Sequence, residues 1–166
     1  MLAVLRPAFQ KNGSVTVGNA SGINDGASAL VLASAHQIAS SEAAPLAQIG
    51  GYAHAGVDPE IMGIGPVPAV RVLLARSGLR IADFDVVESN ESFAWQALAV
   101  NRELGLDPAK GNPDGVAIAL GHTVGATGAL LAIKALSHLQ RTGRRFGLIT
   151  MCIGGGQGIA FVIERV

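Results

Sequence analysis

The stretch that decides the fold is Leu148-Ile-Thr-Met-Cys-Ile-Gly-Gly-Gly-Gln-Gly-Ile-Ala-Phe-Val-Ile163. Two apolar runs, each as long as a buried strand, flank a glycine cluster, a pattern that predicts a hairpin in a covered sheet. Cys152, the only cysteine of the chain, stands where the first run meets the glycines. Glycines let backbone N–H groups approach a molecule bound beside the sulfur, which would suit acyl chemistry. The alternative is a buried structural cysteine before an ordinary glycine turn.

Upstream of this hairpin, apolar runs alternate with helical patterns. We expect strands at 46–55, 84–87 and 116–120. We expect helices at 27–39, at 67–77, from Asn90 to residue 104, and from the glycines after residue 120 to residue 142. The first of these helices is so poor in charge that it should be buried on most sides. The alternation predicts an α/β fold of βαβ units with a mostly parallel sheet, to which the terminal hairpin adds an antiparallel strand.

The composition excludes several classes of protein. The chain has 166 residues, enough for one sizeable core, and its 12 basic and 12 acidic residues balance. Basic residues form no stripe with aromatic residues between them, so we expect no nucleic-acid partner. No apolar run approaches the ~18 to 20 residues of a membrane span, and the first residues do not resemble a signal peptide. With a single cysteine, the chain is expected to be cytoplasmic.

Three polar residues follow predicted strands: Asn90, His122 and Cys152. In a parallel sheet these strand ends share one rim, where open α/β sheets build their sites. An imidazole there can exchange a proton with a thiol or donate to an oxyanion. Capping explains Asn90 and His122 equally well. The glycines around His122 do not have G-x-G-x-x-G spacing, which argues against a dinucleotide loop, and the other histidines lack metal-ligand spacing.

The amino-acid sequences of five motifs closely resemble motifs of the thiolases, the acetyl-CoA C-acyltransferases. The motifs are Asn90-Glu-Ser-Phe-Ala94, Ala119-Leu-Gly-His-Thr-Val-Gly-Ala-Thr-Gly128, Cys152-Ile-Gly-Gly-Gly-Gln-Gly158, Gly18-Asn-Ala-Ser-Gly-Ile-Asn-Asp-Gly26 and Ile61-Met-Gly-Ile-Gly-Pro-Val-Pro68. The resemblance implies half of the layered α/β thiolase fold. Residues 1–45 would be the end of the loop region and the last helix of the N-terminal half, and residues 46–166 the C-terminal domain.

The resemblance also implies a role for each site residue. Cys152 would be the acid/base cysteine that removes a proton from the α-carbon of an acyl-CoA. His122 would activate a nucleophilic cysteine and donate to a thioester oxyanion, Asn90 would hold a water in that oxyanion hole, and the Gly154 amide would help form a second hole. The pantetheine arm of coenzyme A would lie against Ser21, Phe9, Met62 and Phe93. Coenzyme A thioesters would be substrates, with no further cofactor and no metal.

The chain departs from the family pattern at four positions. Thr123 stands where proline is usual, Val116 where glycine is usual, and Ser92 and Trp95 where alanine is usual. The nucleophilic cysteine that thiolases carry in their N-terminal half is also missing. We therefore expect the C-terminal part of a thiolase, inactive without an N-terminal half and forming a homo-oligomer. A non-catalytic fragment that serves assembly or acyl-CoA binding, or a thioesterase, is the alternative.

Overall fold

A computed structural model describes residues 2–166 and shows an α/β fold. The helices within that range are α1 (Ala35–Ala39), α2 (Pro66–Ser77), α3 (Ala94–Leu104), α4 (Ala117–Leu120) and α5 (Thr127–Thr142). The strands are β1 (Ala47–Gly56), β2 (Val86–Ser89), β3 (Phe146–Ile153) and β4 (Gln157–Arg165). Short 3-10 turns lie between them, the longest at Pro59–Ile64. No helix in residues 2–166 has the length and apolar character needed to cross a membrane.

The sheet is mixed, with strand order β1-β4-β3-β2. Strand β4 pairs antiparallel with both β1 and β3, whereas β2 pairs parallel with β3. Three strands therefore point the same way, and only β4 runs opposite to them. The α/β class and the terminal hairpin are confirmed. The expectation of a mostly parallel sheet is corrected, because β4 lies between two parallel strands and so makes two of the three pairings antiparallel.

The two faces of the sheet bury separate helices. Successive strand residues point to opposite faces, so neighbours in sequence belong to different cores. Leu148 packs with Leu73 of α2, whereas Ile149 packs with Leu131 of α5. Gly78 and Gly143 end α2 and α5 in the left-handed conformation, so these helices end at residues 77 and 142, as expected. The two helices thus sandwich the sheet and leave its rim for the loops.

The predicted helix at 27–39 is wrong over most of its length. Only Ala35–Ala39 is helical, beginning after Ser34, whose Oγ accepts from the Gln37 N–H at 3.2 Å. Residues 27–34 have no regular structure, and Val31 is 98% exposed. An apolar helix gains most of its stability from packing, and all of residues 27–34 except Ser28 are exposed.

The predicted strand at 116–120 is also wrong, because residues 117–120 form α4 and Val116 is its N-cap. The Leu120 N–H donates to the Val116 carbonyl at 2.7 Å. A short apolar run cannot distinguish a buried strand from a buried helix. The edge of β2 that such a strand would join is instead covered by the neighbourhood of Asn112, whose N–H donates to the Val87 carbonyl at 2.8 Å. His122 therefore follows a helix and not a strand.

The helix expected to open at Asn90 begins later, at Ala94, because residues 90–93 cross the rim in extended and bent conformations before α3. Asn90 therefore caps no helix. Helix capping therefore does not explain the presence of Asn90 at this position.

Candidate active site

Cys152 lies near the end of β3, and its residue is only 6% exposed. Its Sγ is 3.6 Å from the Ser92 Oγ, and either atom can be the donor. The hairpin turn at residues 154–156 follows directly. The thiol therefore stands at the rim of the sheet beside the loop that leaves β2.

Asn90 follows β2 and is fully buried. Its N–H donates to the Thr150 carbonyl of β3 at 3.0 Å, so the residue continues the parallel pairing. The side chain of Asn112 holds both neighbours: it pairs with the backbone of Ser89 at 2.8 and 3.0 Å and donates to Glu91 Oε1 at 2.7 Å. Asn90 is thus fixed from both sides, as the placement of a functional side chain requires.

The Asn90 side chain points into this site. Its Nδ2 donates to the Ser92 Oγ at 3.4 Å. Its Oδ1 is buried and has no hydrogen-bond partner among residues 2–166. A buried acceptor without a partner is uncommon and costly, which marks this oxygen as a candidate ligand-binding or water-binding atom.

His122 lies between α4 and α5, and the predicted location before a helix is confirmed. Its Nδ1 is 2.8 Å from the Oγ1 of Thr127, a buried residue in the first turn of α5. Burial lowers the pKa of His122 below its ordinary value of 6.5. The imidazole is therefore neutral near pH 7, the form that can accept a proton.

A short segment of the N-terminal region joins the two parts of the rim. The Ser21 N–H donates to the Ser92 carbonyl at 2.9 Å, and the His122 N–H donates to the Gly22 carbonyl at 3.2 Å. Asn24 adds a second link, because its N–H donates to the His122 carbonyl at 3.1 Å. Two residues, Ser21 and Gly22, thus connect the backbones of Ser92 and His122 through two hydrogen bonds. The structure shows no direct hydrogen bond between His122 and Cys152.

The glycine turn serves two purposes. Gly156 and Gly158 are buried, and side chains there would collide with Val57 and with the backbone of Gly65, so these two glycines admit the neighbouring loop. Gly154 is exposed, and a Cβ on it would meet nothing within 4 Å. Open space beside Cys152 is therefore found at Gly154.

Four residues were predicted to form a binding surface. Phe9 and Phe93 pack edge to face with ring centroids 6.0 Å apart. Ser21 is linked to the same loop by its bond to Ser92. Met62 lies in the turn Pro59–Ile64, beside Gly63, whose carbonyl accepts from Gln96 Nε2 of α3 at 3.1 Å. The structure thus brings Phe9, Phe93 and Ser21 together, with Met62 on an adjoining loop.

Sequence reasoning missed three residues that hold these groups. Ser92 contacts both Asn90 and Cys152, Thr127 contacts the His122 ring, and Asn24 contacts the His122 backbone. The sequence marked Ser92 only as a departure from the family pattern, and it marked Thr127 and Asn24 only as members of the quoted motifs. Among residues 2–166, no group of three or more His, Cys, Asp or Glu residues could hold a metal ion.

Taken together, the rim holds a buried thiol, a neutral imidazole and an amide oxygen without a partner. A thiol and an imidazole can both exchange protons near neutral pH, and fixed amides can stabilise a developing oxyanion. This set of groups suits chemistry at a carbonyl carbon or at the carbon beside it.

Comparison with known proteins identifies the class. Residues 43–165 match the family model "Thiolase, C-terminal domain", and residues 1–36 match "Thiolase, N-terminal domain". The chain belongs to the thiolase family. It is 57% identical to the beta-ketothiolase BktB of Cupriavidus necator over 163 residues, 98% of this chain and 41% of that protein. It is 53% identical to an acetyl-CoA acetyltransferase of Escherichia coli over 99% of this chain and 42% of the relative.

Solved structures agree with these relatives. The acetyl-CoA acetyltransferase of Bacillus anthracis superposes with a TM-score of 0.97 at 49% identity. The human mitochondrial 3-ketoacyl-CoA thiolase in complex with CoA superposes with a TM-score of 0.91 at 43% identity. Each match covers 99% of this chain and 42% of the solved chain. The chain thus spans about two fifths of the length of the relatives that it matches.

Proposed function

We propose that the chain acts as the C-terminal part of a thiolase, which transfers acyl groups between coenzyme A thioesters. The reaction would be condensation of two acetyl-CoA molecules or thiolytic cleavage of a 3-ketoacyl-CoA. The observation that carries the proposal is the contact of Cys152 with the loop of Asn90, with His122 tied to that loop through Ser21 and Gly22. Membership of the thiolase family supports it.

The proposed roles follow from the state of each group. Cys152, as a thiolate, takes a proton from the α-carbon of an acyl-CoA and returns one in the reverse direction. The neutral imidazole of His122 accepts the proton of a nucleophilic thiol and donates to the thioester oxyanion. The free Oδ1 of Asn90 supports its role in holding a water, and the open space at Gly154 supports the role of that amide in a second oxyanion hole.

We propose that the pantetheine arm of coenzyme A lies against Phe9, Phe93, Ser21 and Met62. The edge-to-face pair of Phe9 and Phe93 supports this, because it forms an apolar wall beside the rim. The relative solved in complex with CoA has the same fold. Coenzyme A and its thioesters would be the substrates and products of these steps.

Turnover needs a second thiol, because one cysteine cannot carry the acyl group and abstract a proton in the same step. We propose that a thiolase N-terminal half supplies it, either as the preceding part of the same polypeptide or as a separate chain. Residues 1–45 would then complete that half, and residues 46–166 would form the C-terminal domain. Exposed apolar side chains at Tyr52, Trp95 and Leu98, each more than half exposed, support burial by this half or by further copies in a cytoplasmic homo-oligomer.

A chimera tests the proposal. Residues 2–166 replace the matching part of the Escherichia coli acetyl-CoA acetyltransferase, and cleavage of acetoacetyl-CoA is measured. We expect the chimera to be active, and the Cys152→Ala and His122→Ala variants to lose about 10²- to 10⁴-fold in kcat. The chain without the N-terminal half should show no turnover. A folded chimera without activity, or an active Cys152→Ala variant, would overturn the proposal.

A further inference from the structure

Ser92 lies between two of the proposed functional groups. Its Oγ is 3.6 Å from the Cys152 Sγ and 3.4 Å from the Asn90 Nδ2. Its carbonyl accepts from the Ser21 N–H at 2.9 Å. The backbone of Ser92 is therefore anchored while its hydroxyl faces the thiol.

In the two contacts of the Ser92 hydroxyl, the donor and the acceptor can be assigned. The Asn90 Nδ2 group can only donate, so it occupies a lone pair of the Ser92 oxygen. The hydroxyl proton of Ser92 is then free to point at the sulfur. A thiolate only accepts hydrogen bonds, and a bond to a charged acceptor is stronger than a bond to a neutral one.

We propose that Ser92 is a positioning residue for Cys152. Asn90 donates to Ser92, and Ser92 donates to the sulfur, so that the chain of hydrogen bonds favours the thiolate and fixes its direction. An alanine at position 92 has no group that could do this. This proposal rests on the proposed function in one respect: the thiolate is the form of Cys152 that would abstract a proton from the substrate.

The burial of Cys152 makes this contribution necessary. The residue is 6% exposed, so water solvates a thiolate poorly there. Among residues 2–166, the Ser92 hydroxyl is the one side-chain group within hydrogen-bond distance of the sulfur. A hydrogen-bond donor at this point replaces part of the lost solvation.

The test is alkylation of Cys152 by iodoacetamide in the chain as it stands, followed from about pH 6 to about pH 10. Cys152 is the only cysteine, so the label reports on one site. We expect Ser92→Ala to move the midpoint of the pH–rate profile up by about 0.5 to 1 pH unit, and to slow alkylation about threefold to tenfold below the midpoint. Ser92→Thr, which keeps the hydroxyl, should restore the original midpoint.

Ser89→Ala is the matched control, because Ser89 is buried nearby and its Oγ has no partner among the described residues. It should leave the midpoint unchanged. A merely structural role of Ser92 would change the rate by a similar factor at every pH without moving the midpoint, and that result would overturn the proposal. Equal shifts in Ser92→Ala and Ser92→Thr would overturn it as well.

Alkylation requires neither an N-terminal half nor coenzyme A. Failure of this proposal therefore leaves the acyl-transfer proposal standing. Failure of the chimera would not alter the alkylation result.

Discussion

The buried pair of Glu88 and Lys134 should make the stability of the chain depend on pH. Glu88 lies on β2 and its side chain is fully buried, while Lys134 on α5 is 18% exposed. The Lys134 Nζ is 3.6 Å from Glu88 Oε1, close enough for an ion pair and too far for a hydrogen bond. Burial raises the pKa of Glu88 from 4.5 to about 7, and the charge of Lys134 opposes that rise. Asp114 and Glu91 add smaller contributions that raise it.

Proton binding by Glu88 determines whether stability rises or falls with pH. Because the folded chain holds the Glu88 proton more tightly than the unfolded chain, the contribution of Glu88 to stability is fully present below pH 4.5 and is lost as pH rises to about 7. Between about pH 5 and about pH 8 the loss amounts to roughly 2 to 3 kcal/mol in the free energy of unfolding. This magnitude is of the order of one strongly destabilising substitution.

The assay is urea unfolding at several pH values, comparing the native chain with a Glu88→Gln/Lys134→Met variant. The double variant carries neither charge, so it reports the pH dependence of all other groups. We expect the free energy of unfolding of the native chain to fall by roughly 2 to 3 kcal/mol relative to the double variant between about pH 5 and about pH 8. The free energy of unfolding of the Lys134→Met single variant should fall more steeply with pH, because Glu88 then lacks its counter-charge. Parallel pH profiles for the native chain and the double variant would refute the reasoning.

Two further outcomes are expected. Gly158→Ala should lower the free energy of unfolding by about 2 to 4 kcal/mol in urea titrations, because its Cβ would collide with the backbone of Gly65. Gly154→Ala, whose Cβ would face open space, should change that free energy by less than about 1 kcal/mol. Equal effects of the two substitutions would contradict the packing argument. Thr127→Val should lower the kcat of the chimera about tenfold, because His122 Nδ1 loses its hydrogen-bond partner, and the melting temperature of the chimera should change little. An unchanged kcat would show that Thr127 does not orient the imidazole ring.

Much of the fold could be predicted from local patterns. The terminal hairpin follows from two apolar runs around glycines, and α2 and α5 end at Gly78 and Gly143, where φ is +73° and +67°. These features depend on the preferences of a few neighbouring residues, so the sequence carries them directly. The placement of Asn90 and Cys152 at adjacent strand ends follows from the same patterns.

Other features depend on contacts between distant parts of the chain. Residues 116–120 became a helix because the edge of β2 is covered by the region of Asn112, a relation that no local pattern contains. The sheet became mixed because β4 inserts between β1 and β3. Residues 27–34 form no helix, and all of them except Ser28 are exposed, so they lack the packing that stabilises an apolar helix.

The sequence by itself determined which chemical groups the chain carries, the hairpin that holds Cys152, and the family to which it belongs. Only the tertiary structure decided that Ser92 contacts Cys152 and that Gly158 serves packing against Gly65. The physical reason is distance along the chain. A hydrogen bond between residues 60 positions apart depends on how two strands and a loop meet, and no short stretch of sequence specifies that meeting.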